Sequence, residues 1–286
     1  MGSIKYDENL LVYTSDAKGF ASNELRPLFD RLLGGSRPIV LFIHGRGKEP
    51  GKSLQGAGFF AGLAGVEGHA VAKLEAYGVV VVMISWDSER SGFLIFGLSD
   101  RARSLGNTAA GAQRLGVVLD SLGESLQSRE QLHLTHPPIT LLAHSMGTIV
   151  LQKYIEQNNG FRRQTAGPTF TNVLISSADA DNIGHATWVD KIANVEHVFI
   201  TTNPDDPTLV KSDEGRPANA VALGRNPGNA LSQGATYAVI SIKAHEIFTK
   251  RLDHPELSNF FGTSFVSDVV PLGVALPPPG RRFRLG

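Results

Sequence analysis

Three residues in this sequence have the types and the order that a nucleophilic serine requires. Ser145 is followed by Asp206, and His245 comes last. A serine hydroxyl is a weak nucleophile at neutral pH, so it needs a histidine that takes its proton and a carboxylate that holds the histidine in the correct tautomer. We therefore expect Ser145 to be the nucleophile and His245 the general base, with an aspartate between them in the chain as the acid.

Ser145 stands where an apolar run, residues 139–143, ends abruptly at a serine between small residues. Ala143 lies two positions before it and Gly147 two positions after it. Small residues at these places allow the sharp turn by which a strand passes into a helix with the serine at its tip. The next segment, 148–157, repeats apolar residues at helical spacing. The order of strand, serine and helix predicts a nucleophile elbow.

The acid is expected just beyond the carboxyl end of a strand, where the functional groups of open α/β sheets gather. Asp205 and Asp206 follow the apolar run 195–202 in a turn-forming cluster, and on position alone either could serve. Asp179 and Asp181 follow another predicted strand and are further candidates. Turn formation and helix capping are the simpler interpretation of that second pair.

The base is expected at His245 because it follows the predicted strand 236–242 directly. Its rival is His254, whose simpler interpretation is a residue at a helix boundary. His44 and His144 adjoin the predicted turn residues, where a histidine more often packs and hydrogen-bonds than transfers protons.

An oxyanion hole would complete such a site. It is normally built from the amide that follows the nucleophile and from an amide in the loop after an early strand. Met146 supplies the first amide. The buried-strand pattern 37–43 ends in His44 and Gly45, so we expect the amide of Arg46 to be the second donor.

The elements that would position these residues alternate along the chain. Short β-branched apolar runs are separated by helical stretches, which predicts a mostly parallel sheet with helices on both faces, an α/β fold. Leucines and alanines at three- and four-residue steps from 105 to 126 predict a long helix, and 70–77 a shorter one that ends at Gly78. The predicted strands lie near 10–13, 39–43, 79–85, 139–143, 172–176, 197–201 and 236–242.

The length of 286 residues and the 42% apolar content favour one large domain, which we place at 37–265. An N-terminal strand and lead-in segment would occupy 1–36, and the proline-rich basic end 266–286 would be solvated and poorly ordered. Glycine- and proline-rich stretches at 45–68 and 204–234 predict long loops over the site. Candidate lid elements lie within 88–104 and 207–234.

Composition argues against several function classes. The 27 basic and 27 acidic residues balance, so nothing in the bulk charge attracts nucleic acid. The chain has no cysteine and no HExxH pattern, so we expect no metal and no cofactor. A phosphate-binding loop at Gly51 fails because Arg46 stands where the pattern needs its first glycine. A polar N-terminus and the lack of a spanning apolar run make a soluble cytoplasmic protein the default expectation.

The chain resembles the α/β-hydrolase superfamily over most of residues 37–262. The resemblance rests on His-Gly at 44–45, Ser-Trp at 85–86, Ala-His-Ser-Met-Gly at 143–147 and the order serine, acid, histidine. The chain is most similar to a group of bacterial hydrolases of unassigned function, through Asp206-Pro-Thr-Leu and His245-Glu-Ile-Phe. That likeness favours Asp206 over Asp205. One departure is Ala143, where the common pattern has glycine.

The resemblance implies a serine hydrolase that cleaves carboxylic esters through an acyl-enzyme intermediate. The implied substrate is a small ester or a lipid-like molecule. It leaves the substrate and the oligomeric state open. The non-enzymatic alternative is a binding protein that keeps the fold and the pocket without catalysis, because a fold does not fix a function. We expect His44, Gly45 and Trp86 to lie on the substrate side of the site.

The segment 92–98 is unusually apolar, and Phe93 and Phe96 are candidates for the wall of an acyl pocket. The simpler interpretation is a packing surface. If the two phenylalanines form an acyl wall, polar substitutions there will lower the turnover of long-chain esters more than that of short-chain esters. Assays across acyl lengths test this, and equal losses at all lengths would contradict it.

Overall fold

The computed structural model describes residues 9–14, 18–46, 74–75, 77–88, 97–162, 169–217, 219–245, 260 and 279–285. Within these ranges nine strands form a single sheet. The strands are β1 Leu10–Thr14, β2 Gly19–Ala21, β3 Ile39–Ile43, β4 Val80–Ile84, β5 Ile139–His144, β6 Phe170–Ser176, β7 Val195–Thr202, β8 Thr236–Ile240 and β9 Arg282–Leu285. The helices are α1 Ser22–Leu33, α2 Gly97–Gln131, α3 Gly147–Asn158, α4 His185–Val189 and α5 Pro207–Asp213.

The sheet is mostly parallel and has the order β2-β1-β4-β3-β5-β6-β7-β8-β9. Strand β1 runs antiparallel to both of its neighbours, β2 and β4, whereas strands β3 to β9 all run parallel to one another. The carboxyl ends of the parallel strands therefore meet at one edge of the sheet, where sites of open α/β sheets form. The predicted α/β class is confirmed.

Apolar residues cover the sheet on both faces. Strand β3 is buried at every position, which explains why its sequence is a continuous apolar run instead of an alternating one. On one face, helices α1, α2 and α3 bury leucines such as Leu25, Leu115 and Leu151 against the strands. On the other face, the helical residues Leu74 and Phe260 pack in a second apolar cluster. Within the described parts of the chain, every helix is too short or too polar to span a bilayer.

All seven predicted strands are present, and the predicted long helix lies within α2. Of the predicted helix 70–77, only Leu74 and Glu75 are described as helical, and Gly78 has the positive φ of 83° that a left-handed cap requires. The predicted loop 204–234 contains helix α5. Most of 45–68 lies outside the described residues. The domain limits stay a prediction.

The prediction of a poorly ordered basic end is wrong for residues 282–285. They form β9, which pairs in parallel with β8. Two apolar residues, Phe283 and Leu285, alternate with arginines and pack toward the second apolar cluster. This alternation is the strand period of two, but the neighbouring prolines and the high charge concealed it. The three-residue strand β2 was also not predicted, because it is too short to show a period.

Helix α3 leaves β5 by passing very close to the end of β3. A Cβ on Gly147 would lie 2.6 Å from the carbonyl oxygen of His44 and in closer contact still with that of Ile43. Backbone atoms cannot yield as a flexible side chain can, so this position accepts only glycine without a shift of the helix or strand.

Gly147→Ala should therefore destabilise the fold by about 1–3 kcal/mol, the usual cost of an added methyl group in a packed region. Gly106→Ala is the matched control, because it lies on an exposed part of α2 with nothing within 4 Å of the added Cβ. Its expected effect is stabilisation by about 0.5–1 kcal/mol, since alanine favours a helix interior. Urea unfolding measures both, and equal effects would contradict the analysis.

Candidate active site

Ser145 occupies a strained turn between β5 and α3. Its φ is 52°, in the left-handed region that non-glycine residues seldom adopt and that is enriched at functional sites. The backbone is fixed on both sides: its N–H donates to Ser176 O at 3.1 Å, and its carbonyl accepts from the Thr148 hydroxyl at 2.6 Å and from Asp179 N at 3.1 Å. The side chain therefore stands at the tip of a rigid strand-to-helix turn.

The loop after β3 passes directly over the serine. A Cβ on Gly45 would lie 2.9 Å from Ser145 Cβ and 3.4 Å from Ser145 Oγ, so glycine allows this approach. The predicted oxyanion donors adjoin the serine from two directions. Met146 follows it at the start of α3, and Arg46 follows the glycine that contacts it.

The contacts of His44 and Trp86 stabilise this loop. Their rings stack with centroids 5.6 Å apart and planes at 26°, and Trp86 Nε1 donates to His44 O at 2.9 Å. Both side chains are fully buried. These contacts hold the backbone on which Gly45 lies, and contact of the two rings with substrate stays a prediction. The predicted acyl-wall residues Phe93 and Phe96 lie outside the described residues.

Asp206 is oriented by the helix that it begins. It is the N-cap of α5, and its Oδ1 accepts from the amides of Thr208 at 2.9 Å and Leu209 at 3.1 Å. The other oxygen, Oδ2, lies 2.8 Å from His245 Nδ1. The helix N-terminus favours the negative charge of this fully buried carboxylate. Because Asp206 engages Nδ1, the opposite ring nitrogen of His245 is left for another partner.

Two consecutive residues at the end of β6 make hydrogen bonds to Ser145 and His245. Ser176 O binds the amide of Ser145, and the hydroxyl of the next residue, Ser177, donates to His245 O. The imidazole ring of His245 also lies against that of His144, with centroids 4.8 Å apart. Ser145, His245 and Asp206 are thus gathered at the carboxyl edge of the sheet.

The alternative acids have other partners. Asp205 is exposed, and its Oδ2 accepts from the Ser241 hydroxyl. Asp179 lies 2.5 Å from Arg216 Nη2, and Asp181 also pairs with Arg216. The alternative base, His254, lies outside the described residues.

Arg216 is the centre of a buried ion cluster that sequence reasoning missed. Its side chain is 1% exposed, and besides Asp179 and Asp181 it pairs through Nε with Asp213 at 2.9 Å. Arg225 Nη1 pairs with the second oxygen of Asp213 at 2.5 Å. The cluster therefore ties the end of α5 to the segment after β6. Paired residues in it are up to 37 positions apart in the chain, so no local sequence pattern reveals it.

Another buried histidine, His185, belongs to a separate chain of hydrogen bonds. Its Nδ1 lies 2.7 Å from Asn182 O, its Nε2 lies 2.6 Å from the Tyr237 hydroxyl, and that hydroxyl accepts from Ser232 N at 2.9 Å. Burial lowers the pKa of His185 below its usual 6.5 and raises the pKa of Tyr237 to about 12. Both groups are therefore neutral near pH 7, and they anchor β8 to the segment that leads into α4.

A cavity of about 340 Å³ opens beyond the ends of β7 and β8. Its lining residues are Thr202, Pro204, Val221, Arg225, Asn226, Pro227, Val239 and Arg282. None of the three triad candidates lines it, and the charge of Arg225 is already balanced by Asp213. Among the described residues, no group of three or more His, Asp or Glu side chains is arranged to hold a metal ion.

No protein-family model matches the sequence, and no curated protein matches it at the sequence level. Solved structures that it resembles include a cold-adapted esterase from an Arctic intertidal metagenomic library, with 16% identity, 77% of this chain and 80% of that chain covered, and a TM-score of 0.39. A hyperthermophilic esterase from the archaeon Pyrobaculum calidifontis has 14% identity, 80% and 75% coverage, and a TM-score of 0.37. A sugar hydrolase from Lactococcus lactis has 12% identity, 75% and 78% coverage, and a TM-score of 0.35. At these values the matches carry no inference about activity.

The ion cluster makes a testable prediction about stability. Arg216→Gln leaves the buried carboxylate of Asp179 without its counter-charge and should destabilise the fold by about 3–5 kcal/mol. Arg162→Gln is the matched control, because Arg162 and Asp120 form a 3.1 Å pair that is 58% and 41% exposed. Such a surface pair contributes about 0–1 kcal/mol. Similar losses in urea unfolding for the two variants would contradict the structural role of Arg216.

Proposed function

We propose that this protein is a serine hydrolase that cleaves carboxylic esters through an acyl-enzyme intermediate. The observation that supports the proposal best is that consecutive residues at the end of β6 contact Ser145 and His245, while Asp206 binds Nδ1 of the same histidine. The positive φ of Ser145 and the close approach of Gly45 add to it, because a serine at a sharp turn and a donor loop beside it are what acyl transfer requires.

In the proposed reaction, Ser145 Oγ attacks the ester carbonyl carbon while His245 takes the hydroxyl proton. Asp206 holds the imidazole in the required tautomer and stabilises the imidazolium that forms. The amides of Met146 and Arg46 donate to the oxyanion of the tetrahedral intermediate. Each such donor is worth about 3–4 kcal/mol of transition-state stabilisation.

Collapse of the intermediate breaks the bond to the alcohol, which leaves with the proton from His245. The acyl group is then bound to Ser145 Oγ. A water molecule, deprotonated by His245, attacks the acyl carbonyl and forms a second tetrahedral intermediate. Its collapse releases the carboxylic acid and returns the proton to the serine. The cycle needs no metal or cofactor.

The substrate class in this proposal is a small-molecule or lipid-like ester. The predicted acyl wall at Phe93 and Phe96 is the segment that would set the acyl length. A non-catalytic binding protein is the competing function. An intact serine, acid and histidine at one sheet edge argues against it, because a binding protein has no need to retain this geometry.

Hydrolysis of p-nitrophenyl esters from acetate to palmitate tests the proposal. Ser145→Ala should lower turnover by on the order of a millionfold, to the background level, because the nucleophile acts as a unit with its base. Ser36→Ala, an exposed serine between α1 and β3, is the control and should keep wild-type activity.

A serine-directed fluorophosphonate probe provides an independent measurement. It should label the wild type at one site that disappears in Ser145→Ala, because only an activated hydroxyl reacts at a useful rate. Turnover that persists in Ser145→Ala would refute the assigned nucleophile. A folded wild type with neither turnover nor labelling would favour the binding protein.

A further inference from the structure

We propose that Asn203 and Ser177 are positioning residues that fix the backbone around His245 and thereby keep its ring on Asp206. This inference rests on the proposed function for the roles of the histidine and the aspartate. Neither positioning residue contacts the histidine ring in the described hydrogen bonds. Ser177 binds the carbonyl of His245, and Asn203 binds backbone carbonyls just before it.

Asn203 joins the loop of the acid to the loop of the base. Its side-chain amide donates to the carbonyls of Ile242 and Ala244, both at 2.7 Å. Its side-chain oxygen accepts from Ile242 N at 3.2 Å and from Asp205 N at 3.3 Å. The side chain is buried and uses both donors and both acceptor positions of its amide. One residue thus bonds to the chain just before Asp206 and just before His245.

The backbone of Asn203 is held as firmly as its side chain. Its N–H donates to Gly224 O at 2.6 Å, and its carbonyl accepts from Asp206 N at 3.2 Å. Gly224 in turn packs tightly on the segment after β6, where an added Cβ would meet the backbone of Ser177 at 2.6 Å. The position of Asn203 is therefore fixed, and its side-chain hydrogen bonds hold the segment 242–245 in place relative to it.

Ser177 holds the next carbonyl along this segment. Its hydroxyl donates to His245 O, and its own amide donates to Thr201 Oγ1 at 3.4 Å. The residue has a φ of 46°, a left-handed conformation like that of Ser145 on the adjacent strand. Strained residues persist where the surrounding contacts determine the conformation, and they cluster at functional sites. The strain at Ser177 directs a side chain toward the histidine segment.

These bonds matter because the sheet itself does not reach the histidine. Strand β8 ends at Ile240, five residues before His245. Beyond the hydrogen bonds of the sheet, each residue of this segment would regain conformational freedom. Displacement of a catalytic group by about 1 Å can cost about a hundredfold in rate. The carbonyls at 242, 244 and 245 each accept a side-chain hydrogen bond, which restores the constraint that the ladder no longer provides.

Asn203→Asp is the sharpest variant, because it keeps the shape and the acceptors but removes the amide donors. We expect kcat for p-nitrophenyl butyrate to fall about 10- to 100-fold with KM changed less than about threefold, since the loss concerns ring placement and not substrate binding. Ser177→Ala should lower kcat in the same way but by less. Asn229→Asp and Ser36→Ala, both at exposed positions, are the matched controls and should leave kcat unchanged.

A spectroscopic readout separates positioning from general stabilisation. Long-range ¹H–¹⁵N NMR, assigned with His245→Gln, should show the Nδ1–H tautomer of His245 in the wild type and a mixture of tautomers in Asn203→Asp. Unchanged kcat and an unchanged tautomer in both variants would overturn the proposal. A kcat loss with the wild-type tautomer would also overturn it, because the role would then be structural only.

Failure of this inference can be distinguished from failure of the proposed function. If the wild type shows neither turnover nor fluorophosphonate labelling, the proposed function fails, and the tautomer still decides whether Asn203 and Ser177 orient the histidine. If Asn203→Asp does not fold, Ser177→Ala carries the test, since it removes a single hydroxyl group. A wild-type tautomer in a folded Ser177→Ala variant with unchanged kcat then refutes the inference.

Discussion

The contact between the first residue of α3 and the carbonyl groups at the end of β3 is the constraint on which this site depends. Gly147 can approach Ile43 O and His44 O because it has no side chain. That approach turns the chain sharply enough to leave Ser145 with a positive φ at the tip, and it places Gly45 against the serine from the other side. A wider turn would separate Ser145 from the loop that carries Arg46, the proposed second oxyanion donor.

The other half of the site is organised by the need of buried polar groups for partners. Asp206 divides its two oxygens between the start of α5 and His245, so the same carboxylate caps the start of a helix and binds the imidazole ring. Arg216 fastens the far end of that helix through Asp213 and ties it to Asp179 beside the serine turn. Asp206, the proposed acid, is thus positioned by contacts at both ends of a seven-residue helix that is too short to be stable alone.

Local patterns in the sequence predicted the strands, the long helix and the serine turn, because each leaves a periodic or small-residue signal within about ten residues. They predicted the order of Ser145, Asp206 and His245 but left Asp205 and Asp179 open, since several carboxylates follow strand ends. The partners that distinguish these carboxylates, Ser241 for one and Arg216 for the other, are 36 and 37 residues away. Such long-range pairing, like the bonds of Asn203, depends on the tertiary fold and leaves no local pattern. Strand β9 was missed because its charge concealed its alternation.

The arginines of β9 have a consequence for how copies of this protein meet. Among the described residues β9 is the last strand of the sheet, and Arg282 and Arg284 alternate along it, with Arg281 just before. Another strand added in register would bring like charges opposite one another, which disfavours β-type aggregation through an exposed edge. The chain has a formal net charge of zero, so it lacks the overall repulsion that keeps highly charged proteins apart. Protection against edge-to-edge association is therefore concentrated in a few residues at the rim of the sheet.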